Sequence, residues 1–374
     1  MRILIVQRSL SPPGGGNAVA AWMVHALAGT HDVATLTEQH WSAIETNAFY
    51  GTAIPSGIVV QHLVPARWRW LARLRAGRLT RLRSASVYGA TRPLASRYDL
   101  MITAEYYALF PRPGIQYVQF PVLLHPRPER LPFLVNVYFA LCERVLGGRW
   151  AGAAHNITLA NSQWTADGIR RLGELSNPIV CYPPVLDPGA GAPWADRDDT
   201  FLCIGRFDLS KRIEMSIAIV RQVRSRSIPN ARLVIVGSPV DPEYTTRLRR
   251  LAAGESWIEF QEDLSRADLN ALMRRSRYGI QAMVGEHFGM ATAEMTRAGC
   301  LVFAHRSGGT PEVLNAEDSL LWTTAEDAVA RIVAIAGQLP DQTDGLRSRV
   351  RQNARQFSIE SFIDRFREIV DDVR

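Results

Sequence analysis

Two glutamates with seven residues between them stand in the segment Gly285-Glu286-His287-Phe288-Gly289-Met290-Ala291-Thr292-Ala293-Glu294. The apolar run 278–284 before them reads as a buried strand. Gly285 and Gly289 bound a loop that holds the first carboxylate, and the pattern after Gly289 reads as a helix that holds the second. A helix starting there aims its unpaired N–H groups, and the positive end of its dipole, at whatever the loop contains. That makes an anion site. Glu294 falls about one turn into the helix, on a face that can look back toward the loop. Carboxylates repel phosphate but accept hydrogen bonds from sugar hydroxyls. A phosphate cradle flanked by two hydroxyl acceptors describes a nucleotide-sugar site, with one glutamate for a ribose and one for a hexose.

The segment continues through Ala298-Gly299 and Ser307-Gly308-Gly309-Thr310-Pro311-Glu312 to Leu314. Taken whole, it resembles the donor site of the retaining glycosyltransferases of family 4, which have the GT-B fold. The resemblance implies that Glu286 attends the donor hexose at the reacting centre. It also implies that His287, Phe288, Gly289, Met290 and Glu294 help to bind the donor.

The cations point the same way. Of 43 Lys and Arg residues a single one is lysine, Lys211, in Ile204-Gly205-Arg206-Phe207-Asp208-Leu209-Ser210-Lys211-Arg212. The apolar run 201–204 precedes this segment and a helical pattern follows from Ile213, so Arg206 and Lys211 sit on a strand-to-helix loop. The segment resembles the Gly-Arg, then Lys, element of the same family, whose two cations grip the donor diphosphate. Arg offers a planar fork and Lys a compact point charge, which are not interchangeable at a crowded phosphate. With cations and a helix terminus supplying positive charge, no metal or other cofactor is expected. The resemblance further implies that an α-linked donor gives an α-linked product.

The elements that position these loops alternate strand and helix, the pattern of parallel sheets. Candidate strands in the first half are 3–6, 33–36, 58–63, 100–103, 116–119, 156–160 and 179–182. Those in the second half are 201–204, 232–236, 257–261, 278–284 and 301–304. Turn formers from Asp187 to Pro193 mark a linker. The reading is α/β, GT-B, with two Rossmann-like doubly wound domains facing each other across a cleft. Residues 1–186 are expected to bind the acceptor and 200–354 the nucleotide sugar, joined by the linker 187–199. The terminal helix, 355–374, is expected to return to the first domain. Both motifs then lie beyond the carboxyl ends of the strands of the second sheet, where ligands bind in such folds.

The first half carries a glycine loop, Ser11-Pro12-Pro13-Gly14-Gly15-Gly16-Asn17, ahead of a helix. It has neither a Walker lysine nor the GxGxxG spacing. The resemblance places Gly15 and Gly16 near the donor phosphate; a plain turn is the other reading. Asn161-Ser162-Gln163-Trp164-Thr165, Tyr182-Pro183-Pro184 and Glu286-His287-Phe288-Gly289 together resemble the mannosyltransferases that extend a lipid-linked oligosaccharide core with α-1,2-mannose from GDP-mannose. GDP-mannose is the preferred donor, with a UDP-sugar as the alternative. That family commonly has a His near the donor sugar in a Tyr-x-His-x-Pro setting, and this chain has Tyr117-Val118-Gln119-Phe120-Pro121. Gln119 can position a sugar but takes no proton at neutral pH. In a front-face reaction the departing phosphate oxygen takes the acceptor's proton, and Gln119 then suffices. His125 is a nearby substitute or a structural residue. A non-catalytic nucleotide-sugar-binding or scaffold protein is the alternative function.

Composition bounds the rest. The chain has 374 residues, 47% hydrophobic and 21% charged, with a net charge of +7. No apolar run reaches membrane-spanning length or resembles a secretory signal, so a cytoplasmic location is expected. Cys142, Cys181, Cys203 and Cys300 are scattered in apolar contexts and read as reduced core residues. An acid-free run holds Arg67, Arg69, Arg73, Arg75, Arg78, Arg81 and Arg83 with Trp68 and Trp70. Arg73, Arg75, Arg78 and Arg81 are read as a peripheral contact to anionic membrane lipid, which suits a glycan or lipid-linked acceptor. A solvated basic helix is the other reading. No nucleic-acid module is present. Asp196-Arg197-Asp198 has the spacing of a metal-binding Asp-x-Asp but falls in the linker. A phosphorylase would need a lysine for pyridoxal phosphate, and Lys211 is committed to the diphosphate motif.

Overall fold

The computed structural model describes residues 1–12, 14–38, 40–62, 80–105, 108–120, 133–146, 150–173, 177–262 and 264–373. The chain divides into two compact units, Met1–Pro184 with Glu360–Arg374, and Val185–Ile359.

The first unit is built on a parallel sheet of β1 (Arg2–Gln7), β2 (Asp32–Thr37), β3 (Val59–His62), β4 (Leu100–Thr103), β5 (Ile115–Val118), β6 (Ile157–Ala160) and β7 (Ile179–Val180). Their order is β3-β2-β1-β4-β5-β6-β7. Ile3, Leu4, Ile5 and Val6 are all buried because a parallel strand inside an α/β layer is covered on both faces. The helix Gly15–Ala28 connects β1 to β2. Apart from Ile359, the terminal helix Ile359–Asp371 belongs to this unit, where Arg367 Nε donates to Ala26 O at 2.7 Å.

The second unit holds β8 (Asp198–Ile204), β9 (Arg232–Val236), β10 (Ile258–Gln261), β11 (Ser276–Gln281), β12 (Leu301–His305) and β13 (Leu321–Trp322). They pair in parallel in the order β10-β9-β8-β11-β12-β13. Phe201, Ile235, Ile280 and Phe303 form the middle of one core with Val220 and Ile332 from flanking helices. Side-chain caps start the helices where the sequence supplies them, as Ser265 Oγ does by accepting from Asp268 N.

Three local expectations are corrected. β11 stops at Gln281, and Val284 is exposed, because the apolar run bends away to carry Met283 toward Lys211. β8 starts at Asp198, so two residues of the expected linker join the sheet. Gly15 and Gly16 lie in the first helical turn rather than in a loop, with Gly14 as the cap at φ 142°. The four cysteines are free and buried. Arg197 is a clamp and not part of a metal motif: its buried guanidinium donates to Ala192 O, Ser276 O and Ala298 O. Arg73, Arg75, Arg78 and His125 lie outside the described residues, and Arg81 falls on the backbone of the helix Thr80–Gly89.

Candidate active site

In the second sheet β8 and β11 are neighbours, yet β8 leads on to β9 at one side and β11 to β12 at the other. Loops leaving two such strands part, and the crevice between them is where doubly wound sheets take ligands. Gln281 Nε2 donates to Ile204 O at 3.0 Å and ties the two strand ends together.

The loop after β8 is shaped by its neighbours. Gly237, at φ 156°, would put a Cβ 1.9 Å from Gly205 O, so this crossing admits no side chain. Asp208 accepts from Ser210 N at 2.9 Å and caps the turn Leu209–Lys211. Arg212, left-handed at φ 49°, ends that turn and opens the helix Ile213–Arg226. This places Lys211 Nζ 2.5 Å from Glu286 Oε2 and 3.3 Å from Met283 Sδ. Both partners of the ion pair are largely buried, where a charge-assisted hydrogen bond is strong. Arg206, on the same loop, is 68% exposed and lies 3.4 Å from Asp208. The structure therefore joins Lys211 to Glu286 and leaves Arg206 at the surface.

The loop after β11 is held by the Ser307-Gly308-Gly309 run. Glu286 forms a parallel bridge with Gly308, and Gly309 N donates to Glu286 O at 2.7 Å. Ser307 Oγ accepts from Gly285 N at 2.7 Å and lies 2.7 Å from His305 Nδ1. A Cβ on Gly308 would fall 2.0 Å from Glu286 O, and one on Gly309 2.5 Å from His287 O. Phe288 is buried edge-on against Phe357. Burial holds the His287 imidazole below its ordinary pKa, with Lys211 acting the same way and Glu286 opposing.

Gly289, left-handed at φ 100°, starts the helix Met290–Arg297 with no side-chain cap and no acidic residue in its first turn. Those first N–H groups have no partner within the helix. Glu294 lies one turn on, buried, with both oxygens engaged: Arg266 Nη2 reaches Oε1 at 2.9 Å and Nη1 reaches Oε2 at 3.2 Å. Sequence reading missed Arg266. A signal was present, because it is the first residue of the helix Arg266–Arg275, where the helix dipole disfavours a cation. Each acidic residue of the motif is thus matched to a cation, with free N–H groups beside them, and the set can hold an anion while keeping acceptor lone pairs for hydroxyls.

In the first unit Gln119 follows β5, and Gln119 Nε2 donates to Ala104 O. A Cβ on Gly16 would come within 2.9 Å of Gln119 Oε1, so the structure brings Gly16 and Gln119 together; Gly15 lies one residue before, exposed. Among the described residues no group of three or more His, Cys, Asp or Glu side chains is arranged to hold a metal.

Residues 191–357 match the family model described as glycosyl transferases group 1. The chain is similar to GDP-Man:Man(3)GlcNAc(2)-PP-Dol alpha-1,2-mannosyltransferase of Neurospora crassa, 29% identical over 62% of this chain and 48% of that protein. The Homo sapiens protein of the same name is 24% identical over 62% of this chain and 52% of its own length. The chain thus spans about half the length of these relatives, and for the Eremothecium gossypii protein the share is 30%. Anabaena Alr3699/HepE, solved with UDP and glucose, shares the fold at a TM-score of 0.71 and 19% identity over 99% of both chains. WaaG, a glycosyltransferase involved in lipopolysaccharide biosynthesis, does so at 0.69 and 14% over 99% of both chains. Residues 191–357 thus match a group 1 glycosyltransferase model, in a chain whose two parallel sheets have the GT-B fold of these neighbours.

Proposed function

We propose that this protein is a retaining glycosyltransferase of family 4 that moves a hexose, preferably mannose from GDP-mannose, onto a glycan or lipid-linked acceptor. The observation that carries the reading is the joint of Lys211 with Glu286 at the sheet switch point, one loop from the open helix terminus at Met290. Lys211 and Arg206 neutralise the diphosphate as it departs, and the first-turn N–H groups of the helix share that charge. Glu286, braced by Gly308 and Gly309, accepts hydrogen bonds from the hexose, while Glu294, fixed by Arg266, takes the ribose hydroxyls. Gln119 positions the sugar, and the departing phosphate oxygen takes the acceptor's proton. The mannosyl preference is supported by the names of the curated relatives, and the UDP complex of a fold neighbour supports the alternative donor. Donor hydrolysis screened against GDP- and UDP-sugars decides between them. GDP-mannose turned over fastest supports the reading; binding without turnover of any donor supports a scaffold.

Membrane docking belongs to the same reading, because a lipid-linked acceptor is found at a bilayer. The arginine run ends on the helix Thr80–Gly89, which packs against the helix Phe133–Leu146. That second helix exposes Val137, Leu141 and Val145 at four-residue steps, an apolar row. Each arginine near an anionic surface contributes about 1 kcal/mol, so the contact is reversible and falls steeply with salt. Exchange of Arg73, Arg75, Arg78 and Arg81 for Gln abolishes flotation with anionic liposomes; continued flotation of that variant makes the run a solvated surface.

A further inference from the structure

The first sheet has a switch point of its own. β1 and β4 lie side by side, β1 leading to β2 on one flank and β4 to β5 on the other. Arg8 follows β1 and Glu105 follows β4, and Arg8 Nε donates to Glu105 Oε1 at 2.5 Å. The Glu105 side chain is 9% exposed, and its second oxygen, Oε2, is buried with no hydrogen-bond partner. Arg266, by contrast, engages both oxygens of Glu294. Glu105 is held by one oxygen only, and an unmatched buried acceptor is costly.

The surroundings specify what that oxygen takes. Arg8 repels a cation and Glu105 repels an anion, which leaves an uncharged donor. The Gln119 side-chain amide reaches the same strand end by donating to Ala104 O, next to Glu105, and the Gln119 backbone carbonyl accepts from Asn161 Nδ2 at 3.0 Å. Gly16 lets the Gln119 amide lie against its backbone, since a Cβ there would fall 2.9 Å from Gln119 Oε1. A group that donates O–H to a carboxylate and also matches an amide that both donates and accepts is a polyol.

We propose that Arg8 and Glu105 form a hydroxyl-binding site for the acceptor sugar, Arg8 fixing the carboxylate through Oε1 so that Oε2 accepts one O–H of a neutral hexose. The proposal rests on the transferase reading above and names the acceptor side of it. Burial pushes the Glu105 carboxyl up, with Arg8 opposing and Glu38 adding, so Oε2 is a strong acceptor.

Saturation-transfer NMR of the full chain with methyl α-mannoside and methyl α-glucoside tests it without any need for turnover. Wild type gives a saturation signal from at least one glycoside, and Glu105→Gln lowers its affinity about tenfold or more. Arg8→Lys, which keeps the charge but loses the fixed guanidinium, weakens it as well. GDP affinity of both variants, read by calorimetry, stays within about twofold of wild type, since a lost charge-assisted contact acts on its own ligand. Absence of signal in wild type, or equal signal in wild type and a folded Glu105→Gln, overturns the site. Failure of wild type to bind GDP or any nucleotide sugar instead removes the transferase reading, and the glycoside signal then decides the sugar site independently.

Discussion

Glu286 and Glu294 are chemically the same residue, and their partners set them apart. Glu286 meets the point charge of Lys211 through one oxygen, whereas Glu294 is clamped by the planar fork of Arg266 through both. Glu294→Ala therefore weakens GDP binding by about tenfold to a hundredfold, the worth of hydrogen bonds to a charged group, while Glu286→Ala leaves it nearly unchanged and lowers turnover. Equal losses in calorimetry would end that division. Arg266→Ala frees Glu294 to swing and costs about tenfold in GDP affinity, while Arg266→Lys, lacking the fork, recovers only part; full recovery in Lys would show that charge alone matters. The two glutamates and Lys211 were legible because their spacing and rarity stand out in the sequence. Arg266 was not, because its partner lies 28 positions away and only folding brings the two together.

At the scale of elements, the loop after β11 owes its shape to a glycine run on a different strand connection. Gly308→Ala forces a Cβ against the Glu286 carbonyl, displaces the carboxylate that Lys211 holds, and lowers kcat by about a hundredfold, since a shift near 1 Å in a positioned group has that effect. Thermal unfolding and GDP affinity separate this from general collapse; an active Gly308→Ala enzyme would show the brace to be dispensable. Strand positions were readable from apolar runs, since parallel strands covered on both faces contain little else. Strand ends were less so, and the run that extends to Val284 shows why: residues past Gln281 leave the sheet although they are apolar, Met283 lying against Lys211 and Val284 exposed. The two-residue β13 was unreadable, as so short a strand exists only through its pairing with β12.

For the whole molecule, acidity tests the packing. Burial depresses the pKa of His25, His287 and His305 below the ordinary value near 6.5. As pH falls through 6.5 the unfolded chain takes up these protons first, so their stabilisation is complete above that value and is lost below it. Glu105 has the opposite sign, because its folded pKa is raised and its contribution is lost as pH rises. The histidines, whose unfolded value near 6.5 lies in this range, set the sign there, so Tm falls between pH 7.5 and 5.5, and His287→Gln makes the fall shallower. A flat or rising Tm would contradict the buried, neutral histidines. The alternation of strand and helix patterns and the turn-rich linker revealed the α/β character and both halves, whereas the pairing of Arg8 with Glu105 across 97 positions needed the fold.

The central claim is that Lys211 and its loop stabilise the charge of a departing nucleoside diphosphate. Release of GDP from saturating GDP-mannose, with UDP release from UDP-sugars alongside, measures it in wild type and in Lys211→Met. Removing a cation that acts mainly in the transition state lowers kcat by about a hundredfold or more while donor affinity falls much less. Near-normal kcat in a folded Lys211→Met protein would contradict the account.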